Sequence, residues 1–410
     1  MRFFSSEVMR PVDETELVRL INEAAQAQMP IEIRGAGTKR DIGRPLQAAA
    51  TIDTTSFNGI TLYEPTELVM SAKAGTPLKV IEERLASRRQ MLAFEPIDLG
   101  PLHGKPAGQG TIGAVFATNL SGSRRISAGA ARDHLLGVRA VNGRGEAFKS
   151  GGRVMKNVTG VDLCRGLAGS WGTLAVITEV TFKVLPAPQE TRTLVFLGLH
   201  DDIAVEVLCA AMGTPFEVSS AIHLQEGFAS RLRHDRLRSA GQAITALRLE
   251  NFSSSIAYRA QHLKAEFKPY GAIIELDDDS SRDFWQELRE LSFLQGSANP
   301  VWRISTAPNK APRVVAALAT YMECRVFYDW SGGLIWLEAP VTADAGATDI
   351  RRVIASHGGH ATLVRASAAV RAAVDVFQPL DPIVHRLTCS IKAAFDPAGI
   401  LNPGRMYADM

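Results

Sequence analysis

The residues best suited to chemistry lie in two glycine-rich clusters. The first is Arg34-Gly35-Ala36-Gly37-Thr38-Lys39, directly after the alternating run Ile31-Glu32-Ile33. A strand ending in a glycine turn with flanking cations is suited to cradle a diphosphate, because main-chain N–H groups in such a turn point at anionic oxygens. On this motif alone, a plain tight β-turn stays open as the alternative. The Rossmann fingerprint does not fit, since its third glycine and the following helix are missing. No Gly-Lys-Ser/Thr follows, so the turn is not a P-loop. The second cluster runs from 108 to 185, where fourteen of 78 residues are glycine. Glycine lets a main chain turn freely and approach a ligand with no Cβ in the way. Within it, Gly108-Gln109-Gly110 precedes a helix expected over 111–120, and free N–H groups at such a helix start favour a negative ligand.

Other candidates read as structural. His357 and His360 are separated by Gly358-Gly359, and a helix C-terminus at His357, with Gly358 as its left-handed cap, explains the first. Asp277-Asp278-Asp279 reads as a solvated loop rather than a metal site, and no Ser-His-Asp spacing stands out. Cys164, Cys209, Cys324 and Cys389 form no close pair, which argues against a zinc or iron–sulfur site and fits a reducing cytoplasm. With 45 basic and 43 acidic residues, the net charge of +2 leaves no nucleic-acid footprint. Arg124-Arg125 and Arg351-Arg352 are expected on solvated faces. The N-terminal stretch lacks a signal-peptide core, and no apolar run is long enough to span a membrane.

The elements that must position the clusters follow from periodicity. A helix begins at Asp13, capped with Glu16, buries Leu17, Leu20, Ile21 and Ala24, and ends at Pro30. Strands are expected at 31–33, 49–53 and 68–74, with a loop at 55–60. Thr76 is expected to cap a helix that has Pro77 at its first position and buries Leu78, Ile81 and Leu85. Strands at 135–141 and 146–149 flank an Asn142-Gly143 hairpin, and a long strand covers 174–184. Pro186 and Pro188 mark a boundary. Beyond it, strands at 193–199, 217–224, 243–249 and 272–276 alternate with helices at 202–212 and 254–267. After a helix at 281–293, strands at 301–305, 324–328, 334–337 and 361–364 alternate with helices at 311–321 and 347–357. Each set reads βαββαβ, which suggests two ferredoxin-like halves side by side in one sheet. A last helix puts Ile383, Leu387, Ile391 and Ala394 on one face, and two Pro-Gly-type breaks shape the tail.

Taken together, these motifs resemble the vanillyl-alcohol oxidase / p-cresol methylhydroxylase (PCMH-type) flavoproteins. The resemblance rests on the first glycine turn, Gly110-Thr111-Ile112-Gly113, Asn119-Leu120-Ser121-Gly122 and Arg132-Asp133 to Gly137-Val138. It continues through Val154 to Gly160, Gly169-Ser170-Trp171-Gly172-Thr173-Leu174 and the tail from Phe395-Asp396-Pro397 to Asn402-Pro403-Gly404. It is strong over residues 1–186 and the tail, and faint between. Ala114 and Ala175 stand where the family usually has glycine, and Val161 where close relatives have an aromatic residue.

The resemblance implies an α+β chain: a two-part PCMH-type FAD-binding domain at 1–186, an antiparallel ferredoxin-like cap domain at 187–376, and a segment at 377–410 that returns to the FAD domain. It implies FAD contacts from Arg34, Gly35, Ala36, Gly37, Thr38, Lys39, Pro96, Gly110, Thr111, Ile112, Gly113, Ala117, Ser121, Gly122, Arg125, Arg132, Gly169, Gly172, Ile177 and Asn402. The first glycine turn and the helix start at Thr111 would hold the pyrophosphate from two sides. No histidine occupies that turn, where covalently flavinylated members carry one, so FAD is expected to bind non-covalently. Within the family the chain is most similar to FAD-binding subunits of glycolate oxidase complexes, which implies a catalytic flavoprotein and an iron–sulfur protein as partners and a small 2-hydroxy acid as substrate. The His-x-Gly-Asp-Gly-Asn motif of catalytic relatives is absent. Three roles therefore stand: an FAD-dependent subunit of such a complex, an autonomous alcohol or 2-hydroxyacid dehydrogenase, or an FAD-binding scaffold. The implied location is the cytoplasm, at the inner face of the membrane through partners.

Overall fold

The computed structural model describes residues 7–153 and 161–410; the motif from 154 to 160 lies outside the described residues. Helix α1 (Glu14–Gln26) starts where the sequence places it. The Asp13 carboxylate accepts from the Glu16 amide at 2.8 Å, while Glu16 reaches back to the Val12 amide at 2.9 Å. Leu17, Leu20, Ile21 and Ala24 are buried. The helix stops before Pro30, where Gln28 turns the chain at φ +48°.

Three short strands, β1 (Glu7–Met9), β2 (Ile31–Arg34) and β3 (Ala50–Asp53), form a parallel sheet in the order β1-β3-β2. Beside it lies an antiparallel sheet of five: β4 (Ile60–Glu64), β5 (Val69–Lys73), β7 (Leu135–Asn142), β8 (Ala147–Gly151) and β9 (Ala175–Lys183), in the order β4-β5-β9-β7-β8. A two-residue pair, β6 (Gln90–Met91) with β10 (Leu185–Pro186), closes this part. Strand β4 has mixed half-exposed residues and no clean alternation, which is why periodicity missed it. Helix α2 (Leu78–Ala86) buries Leu78, Ile81 and Leu85, but Pro77 is its cap residue. The Thr76 hydroxyl does not cap it; it donates to the Lys73 carbonyl at 2.7 Å.

After Pro186 the chain builds one eight-stranded antiparallel sheet. Its strands are β11 (Glu190–Leu197), β12 (Val218–Leu224), β13 (Ile244–Asn251), β14 (Ile273–Leu276), β15 (Val301–Ser305), β16 (Arg325–Asp329), β17 (Leu334–Glu338) and β18 (His360–Arg365). The order β14-β11-β13-β12-β16-β17-β15-β18 is two ferredoxin-like 4-1-3-2 arrangements, the second reversed, joined edge to edge. The seam is short: His223 pairs with Tyr328 and Leu224 with Phe327. On β15, Trp302 and Ile304 enter a core shared with helices Ala311–Ala319 and Ala347–His357, so the alternating Arg303 and Ser305 face the other way.

Three expectations change. Asp277 is a helix cap, not a loop residue: it accepts from the Ser280 amide ahead of the helix Asp278–Glu290. Gly358 has φ +82° with an extended ψ of 153°, so it is not a left-handed helical cap. Arg351 is not on a solvated face; it donates to the carbonyls of Ala361, Asp375 and Phe377 and stacks over Trp302. The last helix (Pro382–Phe395) does put Ile383, Leu387 and Ile391 on one face, and that face is exposed.

Candidate active site

At the end of β2 the chain turns through Gly35, Ala36 and Gly37, the last at φ +73°. Among the described residues, the amides of Ala36, Gly37, Thr38 and Lys39 donate to no protein oxygen. Four consecutive unpaired main-chain donors form an anion-binding concavity. Lys39 lines the same cleft, buried and with no ion pair among the described residues, and burial lowers its pKa to about 8 against the opposing charge of Asp98. An anionic group would satisfy both the amides and this ammonium. Gly35 must lack a side chain, because a Cβ there would sit 2.4 Å from Thr111 Oγ1.

Asn402 holds this turn from behind. Its side-chain carbonyl accepts from the Ile33 amide at 2.8 Å, and its amide group donates to the Trp171 carbonyl at 2.8 Å. The tail is in turn anchored by buried Lys392, which donates to Asp396 and to the carbonyls of Thr173 and Leu401. A tail residue thus ties the first glycine turn to the second cluster. Between them runs a cleft walled by Arg34 to Lys39, Gly113, Ala117, Gly172, Ile177 and Asn402. Arg405 also lines it, with a pKa lowered to about 10 by burial. Unpaired amides, a buried lysine and a buried arginine are the donor set a dinucleotide diphosphate requires.

The helix start behaves differently from expectation. Helix α3 (Ile112–Thr118) begins after Thr111, but the Ile112 amide donates to the Thr76 carbonyl at 3.0 Å and that of Gly113 to the Ala74 carbonyl at 2.8 Å. Those donors are spent on the protein. Gly113 is glycine because a Cβ would meet Ala74 atoms at 2.6 to 3.0 Å. Ile112 is core, and Thr111 bridges to Pro77. The carbonyl of Gly110 accepts from Leu78. Pro96 pairs with Ser121, whose hydroxyl accepts from the Ala131 amide, and Gly122 packs on the Glu95 backbone. Gly113 thus both packs on Ala74 and lines the cleft, whereas Pro96, Gly110, Thr111, Ile112, Ser121 and Gly122 hold the elements around it, and Arg132 is exposed beside Asp133.

A second cavity adjoins the cleft under the cap sheet, with Thr118 and Trp171 lining both. Gly169 and Arg125 border it from below; Arg303, Ser305, His360 and Thr362 line it from β15 and β18. Register brings these together, because Arg303 pairs with Thr362 and Ser305 with His360, all on one face. Arg125 and Arg303 stack on the Trp330 ring, 4.3 and 4.9 Å from its centroid. Among the described residues neither makes an ion pair. Burial, then the charge of Arg125, lowers the pKa of Arg303 to about 10. Burial and the same two arginines keep His360 below its ordinary value, hence neutral at pH 7. Reading the histidines as scattered structural groups missed this; the signal was alternation on two cap strands that are far apart in sequence.

On the opposite side of the inter-sheet seam the arginines are all paired. Arg248 donates to both oxygens of Glu95 at 2.8 and 2.9 Å, and Arg124 to Glu250 at 2.8 Å. Arg124 is 17% exposed, so the expectation of a solvated face fails for it. Burial raises the pKa of Glu95, but the charges of Arg248 and Arg124 outweigh it and hold the carboxyl far below the usual range.

A profile of the FAD binding domain matches residues 6–151. Over 98% of its length the chain is 33% identical to the whole of the glycolate oxidase subunit GlcE of Escherichia coli K12. It belongs to the FAD-linked oxidoreductases of that family. A D-lactate dehydrogenase of Archaeoglobus fulgidus is 26% identical over 97% of the chain and 90% of its own length. Among solved structures, p-cresol methylhydroxylase with substrate bound superposes with a TM-score of 0.72 at 13% identity, covering 98% of this chain and 88% of that one, and this shows the PCMH-type fold. The cofactor of this oxidoreductase is FAD, and the amides and Lys39 of the first turn suit its diphosphate.

Proposed function

We propose that this chain is the FAD-binding subunit of a glycolate oxidase-type complex that oxidises a small 2-hydroxy acid to a 2-oxo acid. One observation carries the reading: the cleft at the first glycine turn adjoins the cap cavity, with Thr118 and Trp171 lining both, so a cofactor anchored at Gly35 to Lys39 lies next to a space lined by Arg125 and Arg303. FAD would supply a two-electron acceptor there. Lys39 and the turn amides hold its diphosphate, Asn402 keeps the turn and Trp171 in register, and the cap sheet excludes water from the reacting end. With no histidine in the turn, the cofactor is bound without a covalent link. The similarity to a glycolate oxidase subunit supports assembly with further subunits, a catalytic flavoprotein among them, and the four cysteines, all free, favour placing any iron–sulfur centre in another subunit. Among the described residues no helix is long and apolar enough to cross a membrane, so contact with one would come through partners.

The test is glycolate-dependent dye reduction by the chain alone and after reconstitution with its partner subunits. Turnover only in the mixture supports the subunit reading. Equal turnover by the chain alone replaces it with an autonomous dehydrogenase. A flavin that glycolate never bleaches in either leaves a scaffold.

A further inference from the structure

The absence of the histidine motif of catalytic relatives leaves open whether this chain handles substrate at all. The cap cavity bears on that question. Two guanidinium groups, Arg125 from the FAD side and Arg303 from β15, converge on the same Trp330 ring without a carboxylate partner. The acids whose charges reach them are engaged elsewhere: Asp329 accepts from Ser123 Oγ at 2.9 Å and from the Trp330 amide at 2.7 Å, and Asp133 accepts from the Ala130 amide at 2.9 Å. Arg125 is exposed at the edge of the cavity and Arg303 is half-buried in its wall; their like charges repel across it, and an anion between them removes that repulsion. Elsewhere at the seam the chain pairs each buried arginine with a carboxylate, as Arg124 and Arg248 show.

We infer that Arg125 and Arg303 form a binding site for the carboxylate of a small organic acid, within the cavity that adjoins the flavin cleft. Guanidinium forks match a carboxylate in two parallel hydrogen bonds, and stacking on Trp330 fixes their planes. His360 lines the same wall opposite Ser305, with no side-chain hydrogen bond among the described residues. A neutral imidazole there can accept a hydrogen bond from a hydroxyl next to the carboxylate, which selects 2-hydroxy acids over plain ones. The inference rests on the reading that FAD occupies the adjoining cleft, and it makes this chain a substrate-binding subunit rather than a scaffold.

The whole purified chain is titrated with glycolate, acetate, ethylene glycol and inorganic phosphate, following tryptophan fluorescence and, separately, bound flavin by absorbance. Saturable binding of glycolate, weaker binding of acetate and none of ethylene glycol are expected. Arg303→Met and Arg125→Met should each weaken glycolate about tenfold or more, the loss of one charge-assisted fork, with flavin content retained. Arg303→Lys keeps the charge without the fork and should fall between, which covers the case that the methionine variant does not fold. Unchanged glycolate binding in these variants overturns the site. So does phosphate binding as well as glycolate does, or loss of flavin in place of loss of glycolate, which would assign the arginines to the cofactor. A chain that binds glycolate but carries no flavin refutes the cofactor reading and leaves this site standing.

Discussion

Arg124 and Arg125 are neighbours in sequence and end in opposite environments. Arg124 turns to one side of the seam between the FAD part and the cap, into a closed set with Glu95, Arg248 and Glu250. Arg125 turns to the other side, into a cavity where it and Arg303 share a tryptophan and no acid. Both regions place arginines between the same two parts of the chain, but the first set is closed off while Arg125 is exposed and Arg303 half-buried at the wall of a cavity. One is complete in itself and joins the two parts; the other has room for a partner. A buried charge that finds its partner inside the protein is architecture, while charges that converge on a cavity without one point to a ligand.

The sharpest way to break that contrast is to remove one member of the closed set. Arg248 is 1% exposed and supplies two hydrogen bonds to Glu95, and its guanidinium stacks 4.2 Å from the Trp285 ring. Arg248→Met would leave buried Glu95 with only the 3.4 Å ion pair to Arg124, and a loss of about 3 kcal/mol in denaturant unfolding is expected. Little or no loss would mean that Glu95 is solvated and the set is not architectural.

The same set gives a pH signature. Opposing arginines lower the folded-state pKa of Glu250 to about 2 from 4.5, against a burial effect that alone would raise it, and that of Glu95 is lower still. A carboxyl depressed on folding stabilises the protein above its unfolded pKa and loses that contribution as pH falls through the folded value. Stability should therefore drop between about pH 4.5 and pH 2. The drop should shrink in Glu250→Gln, as read from thermal midpoints across that range. A wild-type profile flat over the same interval would contradict the pairing.

Within the FAD part, Asn402→Ala removes hydrogen bonds to the Ile33 amide and the Trp171 carbonyl and leaves both without that partner. A loss of about 1–3 kcal/mol is expected, with weaker flavin retention. Gly37→Asp should cost less, about 1 kcal/mol, since its surroundings are open and aspartate tolerates positive φ. It places a carboxylate in the anion cradle, so bound FAD should fall sharply while circular dichroism stays unchanged. Normal flavin content in that variant would move the diphosphate elsewhere.

How much of this was legible in the sequence depends on the range of the interaction. The first glycine turn announces itself locally, because Gly35 and Gly37 sit within three residues of each other beside Arg34 and Lys39. The two βαββαβ sets were readable from local pattern alone, since their strands are short apolar runs, such as Leu334 to Leu337, and the helices between them keep an apolar stripe. The reason for Gly113 was not readable. It meets Ala74, 39 positions away in sequence, so a glycine required by packing at the cleft wall looked like one required by the ligand alone. Arg303 and His360 were missed for the same cause. They lie on different strands, and only the β15–β18 register makes them one wall. Asn402 could be named from its motif, but its grip on Ile33 spans 369 positions.

The smallest expected stability effect belongs to Arg303→Met, and it completes the contrast with Arg248→Met. Burial and the facing Arg125 lower the pKa of Arg303 to about 10 in the folded chain, against 12.5 when free. A base whose pKa falls on folding weakens the folded state wherever it stays protonated, which includes all physiological pH. Replacing it by a methyl thioether of similar length removes an uncompensated charge and keeps the packing on Trp330. Unfolding free energy should stay within about 0.5 kcal/mol of wild type or rise. Adding glycolate should stabilise the wild type and leave the variant unmoved, because only a ligand that binds the folded state shifts its midpoint. If Arg303→Met destabilises as strongly as Arg248→Met, Arg303 has a structural partner, and the two sides of the seam are built on the same principle after all.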